Sequence, residues 1–196
     1  MAGRHLGRQF FSRYTPEVAR DLLGCVLVRV TPEGKRLTGR IVEVEAYRGA
    51  DDPASHSFRG ITKRNALMFG DPGFAYVFFS YGFHWCLNFT TEERGTPGAV
   101  LIRALEPLKG IREMERLRGS TRIRNLTSGP GKLTKALGID RRMNGEDVVT
   151  SKRLYVLRGG AVDSIVSSRR IGISRGLKQQ WRFFFEGNRF VSRENA

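Results

Sequence analysis

Apolar positions along the chain come in short groups of differing period. Val18, Ala19, Leu22 and Leu23 fall at helical spacing behind Thr15-Pro16-Glu17. Thr15 can cap this helix, Pro16 and Glu17 suit its first turn, and Gly24 stops it. Residues 25–30 (CVLVRV) and 36–47 (RLTGRIVEVEAY) read as strands joined by a turn at Pro32-Glu33-Gly34. Residues 48–73 are polar and irregular, and loops of this length inside a domain are usually functional or disordered. Aromatic-rich strands at 74–79 and 83–90 flank Ser80-Tyr81-Gly82, which has the composition of a hairpin tip. Residues 98–105 (GAVLIRAL) form a near-continuous apolar strand. Leu108, Ile111, Met114 and Leu117 recur every third residue and predict a helix over 107–118 with a charged outer face. A short helix is expected over 131–137, and short strands at 154–157, 170–174, 181–186 and 189–192.

Strands and helices do not alternate, so a doubly wound sheet is discarded. The pattern predicts one α+β domain spanning 1–196, with a mostly antiparallel sheet, flanking helices and a protruding β-hairpin. Residues 1–9, His5 among them, are expected to be flexible.

Charge adds a functional direction. The chain has 196 residues, and its 34 Lys and Arg exceed its 19 Asp and Glu by fifteen, which favours polyanionic partners. The basic residues are spread along the chain, as expected for a folded basic face rather than a basic tail. The 40% hydrophobic and 10% aromatic content is enough for a core. No apolar run approaches the ~20 residues of a membrane span, and residues 1–11 lack the apolar stretch of a secretion signal. Two lone cysteines, Cys25 and Cys86, form neither a CxxC pair nor a disulfide framework, so a cytoplasmic setting is expected. Three scattered histidines suggest no metal site.

The candidate chemistry begins in GRIVEVEAY. On a strand, Ile41, Glu43, Glu45 and Tyr47 share one face, which sets two carboxylates about 7 Å apart. A solvated strand face would account for them. Glu45, however, ends the strand beside an aromatic and just before the long loop, where a catalytic base is often placed. Tyr81, at the tip of the hairpin, is either a wedge between DNA bases or a ring lying flat on its own turn. SGPGK lacks the spacing of a phosphate-binding loop. His84 is expected to pack or face solvent, and Cys86 to be a small buried residue.

Several segments then occur in order: GRIVEVEAY, Asp52-x-x-x-His56, Thr62-x-Arg64-Asn65, Met68-Phe69, YVFFSYG, Cys86-Leu87-Asn88, LIRALEP and SGPGKL. Together they resemble the alkyladenine, or 3-methyladenine, DNA glycosylase family over about residues 10–190. The resemblance implies a base-excision-repair enzyme that flips damaged purines from double-stranded DNA and hydrolyses the bond to the sugar. It implies no metal, no cofactor, and a hairpin that inserts into the DNA minor groove.

By that resemblance Glu45 is the catalytic base, and Arg103 holds the attacking water or adjoining backbone. Tyr47, His56, Phe78 and Asn88 form the base pocket. Phe78 stands where better-studied relatives carry Tyr. Tyr81 fills the gap in the helix, and Asn88 excludes the guanine amino group. Pro130 and Lys132 lie near the pocket and the DNA backbone, with Gly131 where a Ser occurs elsewhere in the family. Lys63 and Arg64 are further candidates for the backbone.

The physics agrees with these roles. A base must leave the stack before its sugar bond can be reached. Aromatic walls stabilise it there by ~1–3 kcal/mol per ring, and π faces favour the positive charge of alkylated purines. No lysine is placed as a nucleophile, so a monofunctional hydrolase is expected. A monomer in the cytoplasm, nucleoid-associated if bacterial, with no membrane partner, completes the expectation. A non-catalytic RNA-binding module or a basic ribosome-associated protein would leave Glu45 or the aromatic tip without a purpose.

Overall fold

A computed structural model describes residues 4–80, 82–160 and 164–192. Its hub is the segment with the strongest strand pattern. β1 (Val26–Val30) and β2 (Arg36–Tyr47) are joined by the expected turn, and β2 is the longest strand. The aromatic arms form β3 (Ala75–Ser80) and β4 (His84–Thr90), and the apolar run after them forms β5 (Ala99–Lys109). β6 (Leu154–Leu157), β7 (Ile165–Ser168) and β8 (Arg182–Phe185) complete an antiparallel sheet. The order is β3-β4-β5-β2-β1-β6, with β8 also paired to β2 and β7 to β8.

β2 has two neighbours on the side away from β5. Its first half pairs with β1 through residues 36–40, and Glu43–Glu45 pair with β8. Pairing with β5 is irregular at Glu43, where the register shifts on both sides. Such irregularities bend a strand and re-aim side chains, and they are common beside active sites.

Helices cover the sheet. α1 (Arg8–Phe11) and α2 (Thr15–Leu22) are followed, after β5, by α3 (Ile111–Arg118) and α4 (Pro130–Ala136). Val18, Ala19 and Leu22 of α2, with Leu133 and Ala136 of α4, join Leu27, Ile41, Val44, Ile102 and Phe89 in the core. This is the α+β architecture that the patterning predicts. Among the described residues no helix is long and apolar enough to cross a membrane.

Several local expectations are corrected. The helix expected over 107–118 starts only at Ile111, because β5 runs on to Lys109 and Gly110, at φ +78°, makes the change of direction. Leu108 therefore lies on the strand and is exposed, so its three-residue spacing to Ile111 was accidental. The expected strands at 170–174 and 189–192 are turns and bends. α1 and β7 were not anticipated, being only four residues each. Thr15 does not cap α2: its hydroxyl donates to Glu92 Oε1 (2.7 Å) and meets Thr91 Oγ1 (2.9 Å), tying the helix to the loop after β4.

The expected flexible N-terminus is packed from His5 onward. Leu6 is buried and its N–H donates to Val156 O, while His5 stacks on Tyr155 at 4.4 Å. Residues 1–3 lie outside the described residues.

Candidate active site

Glu43 and Glu45 are both fully buried, so the solvated-face reading of this strand is wrong. Burying two carboxylates is tolerable only where opposite charge and donors meet them. Arg103, on the adjacent β5, supplies both needs. Its Nε donates to Glu43 Oε1 (3.1 Å) and its Nη1 to Glu45 Oε2 (3.3 Å). Arg182, on β8, donates Nε to Glu43 Oε1 (2.8 Å), so two arginines meet two glutamates. Burial alone would lower the Arg103 pKa, but Glu45 and Glu43 outweigh it and hold the guanidinium above its ordinary value.

Glu43 is further bound by Ser192, whose N–H donates to Oε2 (2.7 Å) and whose hydroxyl donates to Oε1 (2.9 Å). Glu45 has a different set of partners. Tyr47 donates its hydroxyl to Oε2 (2.8 Å), and the Ile171 N–H donates to Oε1 (2.7 Å). A carboxylate offers about four lone-pair positions. Among the described residues Tyr47, Arg103 and Ile171 occupy three of those on Glu45, which leaves one acceptor position. Burial, then the charge of Glu45, pushes the Tyr47 phenol well above its ordinary pKa, so it stays a donor.

In front of this cluster lies a cavity of about 770 Å³, within the ~300–1,000 Å³ usual for ligand pockets. Tyr47, Arg103 and Ile171 form its rear, and Phe78, Tyr76, Met68 and Leu101 give it an apolar lining. His56 reaches it from the long loop, where the buried Asn65 side chain ties several backbone groups together. Asn65 donates to His56 O (2.8 Å) and Gly60 O (2.9 Å) and accepts the Thr62 N–H (2.6 Å). The Thr62-x-Arg64-Asn65 segment is thus a strut for the pocket wall.

His56 Nδ1 lies 3.1 Å from the Tyr76 hydroxyl, and its ring meets Phe78 edge-on at 4.6 Å. Although the residue as a whole is exposed, burial of this ring and then the nearby Arg64 charge hold its pKa below the ordinary 6.5. Arg64 itself lies 5.0 Å from the centre of the Phe78 ring.

Asn88 lines the cavity from β4, is buried, and donates its amide to Tyr76 O (3.0 Å). Pro130 and His84 also line it. His84 is a strand residue of β4 packed on Gly131, as expected, and it also lines the cavity. Cys86 lines the cavity too, and burial pushes its thiol up to about 11, so it stays protonated. Lys63 and Lys132 are not among the residues that line it. Lys132 donates to Asn125 Oδ1 (3.0 Å) and Ser128 Oγ (3.3 Å), at the edge of α4.

The hairpin tip stands clear of the core. Gly82 adopts φ +70°, the Phe83 N–H closes the turn onto Ser80 O (3.0 Å), and Phe83 is 85% exposed. Phe79 is exposed as well and packs on Trp85 at 4.9 Å. Tyr81 lies outside the described residues.

Glu45, Tyr47, His56, Phe78, Asn88 and Arg103 thus converge on one cavity or its rear wall, as their motifs suggested. Sequence reasoning quoted Asp52 only as part of a motif and gave no role to Tyr76, Arg170, Ile171 or Arg182. Arg170 and Ile171 were assigned to a strand, and their segment gave no further local signal. Among the described residues no cluster of three or more His, Cys, Asp or Glu could hold a metal.

Such a site, on a basic scaffold with an exposed aromatic hairpin, suits a hydrolase that acts on nucleic acid. The model of the methylpurine-DNA glycosylase (MPG) family matches residues 9–189, and the chain belongs to that family. It is therefore a DNA glycosylase, a hydrolase of N-glycosyl bonds. Among its relatives is a protein of Carboxydothermus hydrogenoformans, 50% identical over 191 residues (96% of this chain and 99% of the relative). Another, from Methanocella arvoryzae, is 49% identical over 192 residues (96% of each chain). Both are named as 3-methyladenine DNA glycosylases.

Proposed function

We propose that this glycosylase removes alkylated and deaminated purines, of the 3-methyladenine and hypoxanthine type, from duplex DNA, and that Glu45 activates the water. The observation that carries this reading is the position of Glu45. It sits behind a base-sized aromatic cavity, held by Tyr47, Arg103 and the Ile171 N–H with capacity left for a water. The flipped purine enters between Tyr47, His56 and Phe78. Glu45 accepts a proton from the water as its oxygen bonds to the anomeric carbon. The N-glycosidic bond breaks, its electrons pass to the purine, and an abasic site remains. A 3-methylated adenine enters positively charged and leaves neutral, which makes it a good leaving group, whereas neutral hypoxanthine leaves as an anion that takes up a proton from solvent. The step parallels inverting glycoside hydrolysis.

Arg103 keeps Glu45 in place, Asn88 excludes the guanine amino group, and Tyr81 fills the vacated stack. Arg64, Lys63, Pro130 and Lys132 lie along the DNA backbone. The enzyme acts as a monomer, on the nucleoid in a bacterial cell, and its fifteen excess positive charges give undamaged DNA a steep salt dependence.

The test is Glu45→Gln under single-turnover conditions on duplexes that each carry one lesion. Excision should fall by the ~10²–10⁴-fold expected of a general base while lesion binding persists. Near-parental excision would refute the assignment.

A further inference from the structure

Behind the pocket wall lies a second buried ion pair that the reaction does not use. Arg170 and Asp52 are both fully buried at their side chains. Arg170 Nη1 donates to Asp52 Oδ2 and Nη2 to Oδ1, each at 2.6 Å, in a two-pronged pair. Nη1 also donates to Ala46 O (2.9 Å), next to the Glu45–Tyr47 segment. The guanidinium lies between two rings, 4.6 Å from the centre of Tyr47 and 5.3 Å from that of Trp181. Asp52 accepts the N–H groups of Arg48 and Ala54 (3.1 Å each), at the start of the loop that carries His56. Tyr47 lines the cavity, and Arg170 does not.

We propose that Asp52 and Arg170 form a specificity-determining pair that sets the charge felt through the Tyr47 ring by a base in the pocket. The proposal rests on the glycosylase reading above. Arg170 braces the ring from behind by a cation–π contact, as its planar guanidinium is suited to do. Unbalanced, the same cation would repel a positively charged purine stacked on the front. With stacking at roughly 3.5 Å beyond the ring, the two charges would lie about 8 Å apart. Asp52 cancels that repulsion while leaving the brace in position. The pair thus combines a rigid arginine-backed wall with a face that still accepts a cation. It also anchors Arg170 next to Ile171, whose N–H holds Glu45.

The experiment is a competition in one tube between a duplex carrying cationic 7-methylguanine and one carrying a neutral lesion that the parent excises, hypoxanthine or ethenoadenine. The ratio of the two excision rates does not depend on how much of a variant is folded. Asp52→Asn leaves the arginine uncompensated and should lower the cationic-to-neutral ratio about tenfold, the order expected for a unit charge roughly 12 Å from the base, one ion-pair length beyond the guanidinium, with an effective dielectric of ~20. Arg170→Gln leaves the carboxylate uncompensated and should raise the ratio. It stands in if Asp52→Asn yields no folded protein. Equal slowing of both lesions, with the ratio unchanged in either variant, would show a purely structural pair and overturn the proposal. Failure of the underlying reading would appear separately, as excision surviving Glu45→Gln.

Discussion

His84 lies so close to Gly131 that a methyl group on Gly131 would fall 2.6 Å from His84 Cγ and 2.7 Å from His84 Cβ. Gly131 in SGPGKL is thus matched to the ring opposite it. The contact is reinforced nearby, where Thr134 of α4 donates to Trp85 O on β4 (2.9 Å). Gly131→Ser should destabilise the protein by about 1–3 kcal/mol, the usual cost of overpacking, and should slow excision. His84→Ala in the same chain should recover only part of the melting temperature, because its Cβ still lies 2.7 Å from the added carbon. A neutral Gly131→Ser would show that the ring moves aside freely.

Glu43 and Glu45 should separate stability from chemistry. Glu43 anchors Arg103, Arg182 and Ser192, whereas Glu45 faces the site. Glu43→Gln should cost about 3 kcal/mol, the lower end for breaking a buried ion pair, or roughly 6–12 °C in melting temperature. Glu45→Gln should lose more activity and less stability. Thermal melts and single-turnover rates of both variants check this. The assignment fails if Glu43→Gln melts like the parent and abolishes excision.

At the hairpin tip, Phe83 is 85% exposed, two positions after Tyr81 in the sequence. Phe83→Ala should leave the melting temperature within about 1–2 °C, as surface changes do, and Tyr81→Ala tests the proposed insertion directly. Both should weaken binding to lesion-bearing duplex more than to single strands, where no helix gap needs filling. An equal loss on both substrates counts against insertion.

Asn88 is bonded to the backbone of β3, and exclusion of guanine is the role proposed for it. Its amide is bonded to Tyr76 O, so Asn88→Ser should lose about 1 kcal/mol of stability. The space opened in the pocket should admit the guanine amino group and give measurable release of normal guanine, most clearly from guanine–thymine mispairs. Continued refusal of guanine, with hypoxanthine release falling as well, would reduce Asn88 to a backbone partner.

His56 has a depressed pKa, so it is neutral in the folded protein at pH 7. The unfolded chain takes up its proton near pH 6.5. The stability that His56 contributes is therefore fully present above about pH 6.5 and is lost as pH falls through the folded value. NMR titration of the three histidines should find His56 below 6.5, rising toward it in Arg64→Ala. Titration at or above 6.5 in the parent would contradict the packing described.

Much of this molecule is written in local pattern. Alternation over 36–47 marked β2 to the residue, and the aromatic arms around residues 80–82 marked the hairpin, because side-chain period reports which face of a strand is covered. The order of the motifs named the residues that meet at the cavity. Local period failed where spacing imitated an element, as with Leu108 and Ile111, and where short segments had only turns to form, as at 170–174.

Tertiary structure alone decided that two glutamates on one strand face would be buried rather than solvated. The deciding partners come from other strands and from distant turns: Arg103 from β5, Arg182 from β8, and Ile171 from a turn 126 positions beyond Glu45. Asp52 and Arg170 meet across 118 positions in the same way. A charge in a sequence carries no mark of whether it will face water or an opposite charge. That depends on which distant backbone the fold brings beside it, and a buried carboxylate is stable only where that backbone delivers a donor.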